Sequence, residues 1–357
     1  MSHIQHTRIA GLDGLRALSV IAVFLAHTGL AGVVGGGYVG VDVFFVLSGY
    51  LITSRLIAEH HRNGRIDLPR FYWRRARRLY PALLLMLAGV ALYCLVFPGS
   101  LRVEFEVLPA FFYVMNWVRA FGIYDAHLTG HTWTLAIEEQ FYLVWPLILL
   151  GVLKFWPRRL VLAVALLAVA VIAWRSFLMS QHLSMARIYC GFDTHSDGLL
   201  MGALLAVMPR QWTARAGKLW PLAVAILLIV TLSENALDFS LLAWGYPLTP
   251  LAAALIIAKV VTAQQAALVR SLDIAPLAGL GRVSYGFYLW HYVVLQSMLY
   301  GGHERMGAFF GRFSHPNIAM VTITFVISMA LTLVSWFAVE KPAMRLRFPW
   351  RRSAAMA

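Results

Sequence analysis

Charge is scarce in this chain: Asp, Glu, Lys and Arg make up 13% of its 357 residues, about half the roughly 25% of a soluble domain. That shortage excludes a water-soluble globule and a charged, disordered tail protein. Cysteine is scarcer still, with only Cys94 and Cys190, which excludes a disulfide framework and a cysteine-rich metal cluster. Acidic residues number 16 against 30 basic ones. In a soluble protein that excess would point to nucleic acid, but cytoplasmic loops and anionic lipid headgroups account for it in a membrane protein. The first apolar run lacks a small-residue cleavage site and reads as a retained helix, not a signal peptide. No internal repeat, low-complexity tract or soluble appended domain is expected.

What the sequence has in plenty is apolar surface, with 60% hydrophobic residues and a mean hydropathy of +0.71. These values predict an all-α, polytopic integral membrane bundle, and spans of about 20 residues allow about ten transmembrane helices. Apolar runs bounded by charge, Pro or Gly place them near 12–30, 40–57, 79–97, 132–153, 160–178, 194–209, 219–233, 243–261, 282–300 and 318–339. A further stretch near 105–122, flanked by Glu104, Glu106 and Arg119, is expected to be interfacial or re-entrant. If it spanned, the later basic loops would flip outside, against the positive-inside rule. Ten spans put both termini in the cytoplasm, with residues 1–342 as the transmembrane domain and 343–357 as a short basic tail.

Burying an ionisable residue in a bilayer is costly, so each one within a span is a functional candidate. In the first span Arg16 and His27 lie eleven residues apart, close to three turns, which puts the imidazole about 16 Å further along one helix face. Arg16 alternatively snorkels to the inner headgroups, and His27 alternatively makes an interhelical hydrogen bond. Asp42 enters the second span near the depth of His27, as a pore carboxylate or an interfacial one. Gly40, Ser48 and Gly49 beside it suit close helix contact.

The fourth span opens HTWTLAIEEQFYLVWP, where His131 and Glu138 share a face. At least one of Glu138 and Glu139 is expected to face a wet cavity or to pair with a cation such as Arg16, the alternative being a neutral carboxyl packed in the core. The sixth begins with His195 and Asp197. The ninth, GRVSYGFYLWH, brings Ser284, Tyr285, Tyr288 and His291, although such tyrosines also serve as interfacial aromatics. Taken together, these residues predict a polar channel, basic at its inner end and richer in His and carboxylate above.

The inner loop RFYWRRARRLYP holds five arginines in nine positions, interleaved with Phe71, Tyr72 and Trp73. Positive-inside bias explains part of that density. Guanidinium forks suit phosphates and aromatic faces suit an adenine, so a nucleotide-bearing cytoplasmic ligand fits Arg74, Arg75 and Arg78, with a lipid headgroup as the less specific alternative.

This ordered set resembles the membrane acyltransferase-3 family of bacterial enzymes that O-acylate envelope sugars and small glycosides, from about residue 9 to about residue 342. LDGLRALSVIAVFLAH is similar to the family's first helix, with Arg16 and His27 in its Arg and His positions. GVDVFFVLSGYLIT, RRARRLYP with Arg75 and Arg78, the Glu-Glu-Gln block and VSYGFYLWH follow in order. Thr134, Tyr50 and His195 depart from the common Ser, Phe and Arg, and the last leaves a charge role at the outer mouth open.

The resemblance implies an acyl-CoA donor, usually acetyl-CoA, and a saccharide or glycoside hydroxyl as acceptor, with membrane lipids as surroundings and neither metal nor nucleic acid. It implies His27 as the essential histidine, Arg16 and Glu138 as its helpers, and Arg75 and Arg78 as the coenzyme A phosphate contacts; Arg74 and Tyr285 are expected on the same coenzyme A side. Asp42, His131, Glu139 and His291 fall to the acceptor side. Relatives with a fused hydrolase-like domain imply that this chain acts alone or with an envelope-glycan assembly partner, in the bacterial inner membrane. Lipopolysaccharide, exopolysaccharide, peptidoglycan, periplasmic glucans and glycosylated secondary metabolites all remain acceptor classes.

Acyl transfer to a hydroxyl needs a base, stabilisation of the oxyanion and positioning. No G-x-S-x-G elbow is present, so direct transfer with His27 as general base is expected rather than a Ser or Cys acyl-enzyme. A secondary transporter or a glycan-export subunit without catalysis is the alternative, although inverted repeats are missing.

Overall fold

The structure is a computed structural model, and it describes residues 8–28, 36–97, 101–232, 239–300 and 318–346. Among the described residues all regular structure is helical. The chain runs through α1 (Leu12–His27), α2 (Val39–Asn63), α3 (Leu68–Val96), α4 (Val103–Phe111) and α5 (Met115–Ala120). A 3₁₀ turn at Gly130–Thr132 opens α6 (Trp133–Phe155), followed by α7 (Leu160–Ser180), α8 (Met185–Cys190), α9 (Phe192–His195) and α10 (Asp197–Val207). Then come α11 (Arg210–Ala216), α12 (Trp220–Leu232), α13 (Phe239–Thr262), α14 (Ala267–Leu272), α15 (Ala275–Tyr300) and α16 (Ile318–Val334). A π-helical segment, Ser335–Glu340, leads into α17 (Lys341–Met344).

Six stretches among the described residues are long and apolar enough to cross a membrane: Val39–Asn63, Leu68–Val96, Gly130–Phe155, Pro157–Ser180, Arg210–Leu232 and Ile318–Met344. The expected spans near 12–30, 194–209, 243–261 and 282–300 are not in that set. The described part of the first is only 16 residues long, and residues 29–30 of it lie outside the described residues. Asp197–Val207 and Tyr246–Thr262 are apolar but short. Helix α15 has 26 residues, but Arg282, Ser284, His291 and Gln296 dilute its hydropathy. The 105–122 stretch forms two helices of 9 and 6 residues, both below spanning length at about 1.5 Å per residue.

The chain divides into two compact units, one made of Met1–Arg55 with Gln140–Ser284, the other of Leu56–Glu139 with Tyr285–Ala357. In the first unit, Leu12 and Leu15 of α1, Val46 and Leu47 of α2, Ile257 of α13 and Leu272 of α14 belong to one buried cluster. Lipid tails are as apolar as leucine, so close packing by small residues has to hold such helices together. Helices α2 and α10 meet in this way: a Cβ on Gly202 would stand 2.0 Å from the Val46 carbonyl oxygen, and one on Gly49 1.9 Å from that of Leu199. Trp145 of α6 donates Nε1–H to Thr53 Oγ1 at 2.8 Å, satisfying a fully buried indole.

In the second unit α3 starts where Asp67 caps it, accepting the Arg70 N–H at 3.0 Å with Pro69 in the first turn, as helix N-termini favour. Further along, Tyr93 donates to the Ser297 carbonyl at 3.1 Å, and Arg77 to that of Leu346. Both bonds tie α3 to carboxy-terminal elements of the same unit.

Candidate functional site

In the first unit, α1 carries Arg16, half-buried and 3.6 Å from Asp13 one turn earlier. His27 is the last residue of that helix and is exposed. Asp42 is 1% exposed and sits in a built network: His195 Nε2 lies 3.1 Å from its Oδ1, and Thr249 Oγ1 donates to its Oδ2 at 2.8 Å. His195 Nδ1 is 2.7 Å from the Tyr189 carbonyl oxygen, which only accepts, so that nitrogen carries hydrogen. The sequence left Asp42 open between a pore and an interfacial role; the structure buries it against His195, one of the positions where the sequence departs from its resemblance.

Beside that network, Arg175 of α7 pairs with Asp197 at 2.9 Å, with side chains 2% and 1% exposed. It also donates to the Thr194 carbonyl at 2.9 Å, and its guanidinium lies 4.8 Å from the Tyr246 ring centre. A buried charge is tolerated when it is paired in this way. Nearer the surface, Arg187 holds both oxygens of Asp193, at 2.9 and 2.6 Å, while Trp174 Nε1 donates to one of them at 2.7 Å. Burial alone would raise the Asp193 pKa, but the bonds from Arg187 and Trp174 outweigh it and hold the carboxyl below its ordinary value.

The second unit holds the arginine loop. These arginines lie on α3 rather than in a loop. Arg75 Nη2 is 2.6 Å from Glu139 Oε1; Arg74 Nη2 is 3.3 Å from Glu59 Oε2; and Arg78, one turn beyond Arg75, is exposed. Tyr285 donates its hydroxyl to the Leu79 carbonyl on the same helix, at 3.0 Å. Glu138 is half-buried.

Further along α6 and α15 lies an aromatic and histidine cluster. His131, 2% exposed, packs its ring against Tyr292 at 4.8 Å, Tyr288 at 5.3 Å and His291 at 5.7 Å. Tyr288 donates to the His131 carbonyl at 2.9 Å and shares a 2.7 Å bond with Thr134 Oγ1. His291, fully buried, has Nδ1 2.7 Å from the Tyr288 carbonyl, so Nδ1 carries hydrogen. Gly130 lets the Arg119 guanidinium lie where a Cβ would be only 2.6 Å away.

Thus the structure joins Arg75 with Glu139, and His131 with His291, while Arg16, His27 and Asp42 belong to the other unit. Sequence reading passed over Arg175, and counted Glu106 only as a charge at the end of the 105–122 stretch. Arg175 stands in an apolar run, VIAWRSFLM, so the rule applied to the other intramembrane charges would have found it.

The comparisons agree with these motifs. The Acyl_transf_3 model, described as an acyltransferase domain, matches residues 9–339. A protein named O-acetyltransferase OatA from Staphylococcus aureus (strain NCTC 8325 / PS 47) is 35% identical over 312 residues, covering 80% of this chain and 50% of that protein. Peptidoglycan O-acetyltransferase OatA from Listeria monocytogenes serovar 1/2a (strain ATCC BAA-679 / EGD-e) is 34% identical over 310 residues, covering 80% and 49%. This chain therefore spans about half the length of the curated relatives it matches. No solved structure matches it significantly. With a family model matched across nearly all of its length, the chain belongs to the Acyl_transf_3 family of acyltransferase domains.

Proposed function

We propose that this chain is a multi-pass membrane O-acetyltransferase that moves an acetyl group from acetyl-CoA to a hydroxyl of an envelope saccharide. The observation that carries the reading is the family match over residues 9–339, and the names of its relatives supply the acetyl group. The peptidoglycan named for the Listeria relative comes first among acceptors to try, ahead of lipopolysaccharide and the other glycans.

In this reading His27 takes the hydroxyl proton as general base, and its exposure at the end of α1 supports a role toward a mobile substrate. Arg16 and Glu138 supply charge for the donor and the oxyanion. Arg74, Arg75, Arg78 and Tyr285, on facing stretches of one unit, hold the coenzyme A phosphates and adenine; Arg75 swaps or shares Glu139 when the phosphate arrives. His131, Glu139, His291 and the buried Asp42 serve the acceptor side. Ten spans with both termini in the cytoplasm of an inner membrane complete the proposal, supported by the basic loops.

The test is free-thiol release from acetyl-CoA by protein in proteoliposomes, with and without a crude envelope-glycan extract, comparing wild type with His27→Ala and Arg75→Ala. Release that rises with extract and needs both residues supports the transferase. Wild-type protein that releases no thiol under any of these conditions overturns it in favour of the transporter or export-subunit reading.

A further inference from the structure

Helix α4 is apolar apart from Glu104 and Glu106, and Glu106 is 0% exposed. Among the described residues its carboxylate pairs with no cation; it meets backbone. Oε1 accepts the His127 N–H at 2.8 Å, and Oε2 accepts the Leu128 N–H at 3.1 Å and the Thr129 N–H at 2.9 Å. Thr129 Oγ1 stands 2.8 Å from Oε2 and equally near the Glu106 carbonyl. Three successive N–H groups converging on one acceptor form a nest for negative charge.

The need for it is visible in the loop. Leu128 and Thr129 are fully buried yet precede the 3₁₀ turn, so they have no helix to satisfy their N–H groups. A buried donor without a partner is costly, and the carboxylate supplies the partner. From Thr129 the order continues: its carbonyl accepts the Thr132 hydroxyl at 2.7 Å and N–H at 2.9 Å. That closes the turn that carries His131, whose own carbonyl accepts from Tyr288 at 2.9 Å.

We infer that Glu106 is a positioning residue of the acyltransferase: it fixes the 127–132 backbone and through it sets where the His131 ring stands against His291 and Tyr292. This rests on the proposed function only in giving His131 an acceptor-side role. Glutamine at position 106 keeps the shape but turns one acceptor into an NH₂ group facing backbone donors.

Two measurements on full-length protein test the inference. Amide hydrogen exchange in detergent compares wild type with Glu106→Gln: faster exchange confined to 127–132 is expected, and unchanged exchange there overturns the anchor. Thiol release from acetyl-CoA with the glycan extract then compares Glu106→Gln, His131→Ala and the double variant. The single Glu106→Gln is expected to lower kcat roughly 10- to 100-fold while KM for acetyl-CoA stays within about twofold, and the double variant should be no slower than the slower single.

Multiplying effects in the double variant, or a His131→Ala protein as fast as wild type, overturn the positioning role while leaving the transferase reading intact. A wild type without turnover overturns both, and the exchange result then describes a structural tie alone. If Glu106→Gln does not fold, Thr129→Val removes one donor and enters the same cycle; a rate equal to wild type again overturns the role.

Discussion

Arg75 and Glu139, 64 residues apart in the chain, meet with Nη2 and Oε1 2.6 Å apart and about four-fifths of each side chain buried. The guanidinium that family resemblance assigns to a phosphate is thereby already seated on a carboxylate, which keeps its charge compensated when no ligand is present. Arginine is suited to such exchange because its fork binds carboxylate and phosphate with the same geometry.

The pairing predicts coupling. Arg75→Ala and Glu139→Ala each leave a mostly buried charge behind, so the double variant should lose less than the sum of the singles, by roughly 0.5–3 kcal/mol. Thermal melting of the four proteins in one detergent measures this, and strictly additive shifts would show that the contact carries no energy.

His27 should behave differently, because an exposed residue ending a helix contributes little packing. His27→Ala is expected to melt with the wild type yet to release thiol at least about 10²-fold more slowly, the lower end of general-base contributions. A variant that turns over normally removes His27 from the chemistry.

Arg175 is the opposite case. Deleting it strands the buried Asp197 carboxylate, so Arg175→Ala should cost about 3–5 kcal/mol, whereas Arg175→Met combined with Asp197→Leu should recover most of that loss. Folded yield and melting temperature give the readout; a single variant as stable as wild type contradicts the buried pair.

For Asp193 the prediction concerns pH. Its folded pKa lies below the ordinary aspartate value because Arg187 and Trp174 bond the carboxylate more strongly than burial disfavours it. Stability from this group is therefore present above the ordinary value and is lost as pH falls toward the lowered one. Arg187→Gln should flatten that acid limb in melting curves taken downward from neutral pH, and equal limbs would exclude the linkage.

The candidate residues themselves were legible as sequence patterns. The RRARR run, the adjacent Glu138 and Glu139, and the spacing of Arg16 from His27 are local patterns, and charge inside an apolar run is visible residue by residue. Span count was less legible, because polar residues in Ala275–Tyr300 pull its hydropathy down. Glu106 escaped because its partners are backbone N–H groups 21 to 23 residues away, and backbone donors leave no mark in a sequence.

By itself the sequence determined the membrane setting, the helical class, the non-spanning stretch near 105–122 and the family, because hydropathy, helix length and motif order are sums over neighbouring residues. Only the tertiary structure decided which charge answers which: Asp42 with His195 across 153 positions, Arg175 with Asp197, Arg75 with Glu139, and Glu106 with a loop. Those choices depend on which helix faces pack together, and in an apolar medium an ionised group stays buried only where the fold brings it a partner.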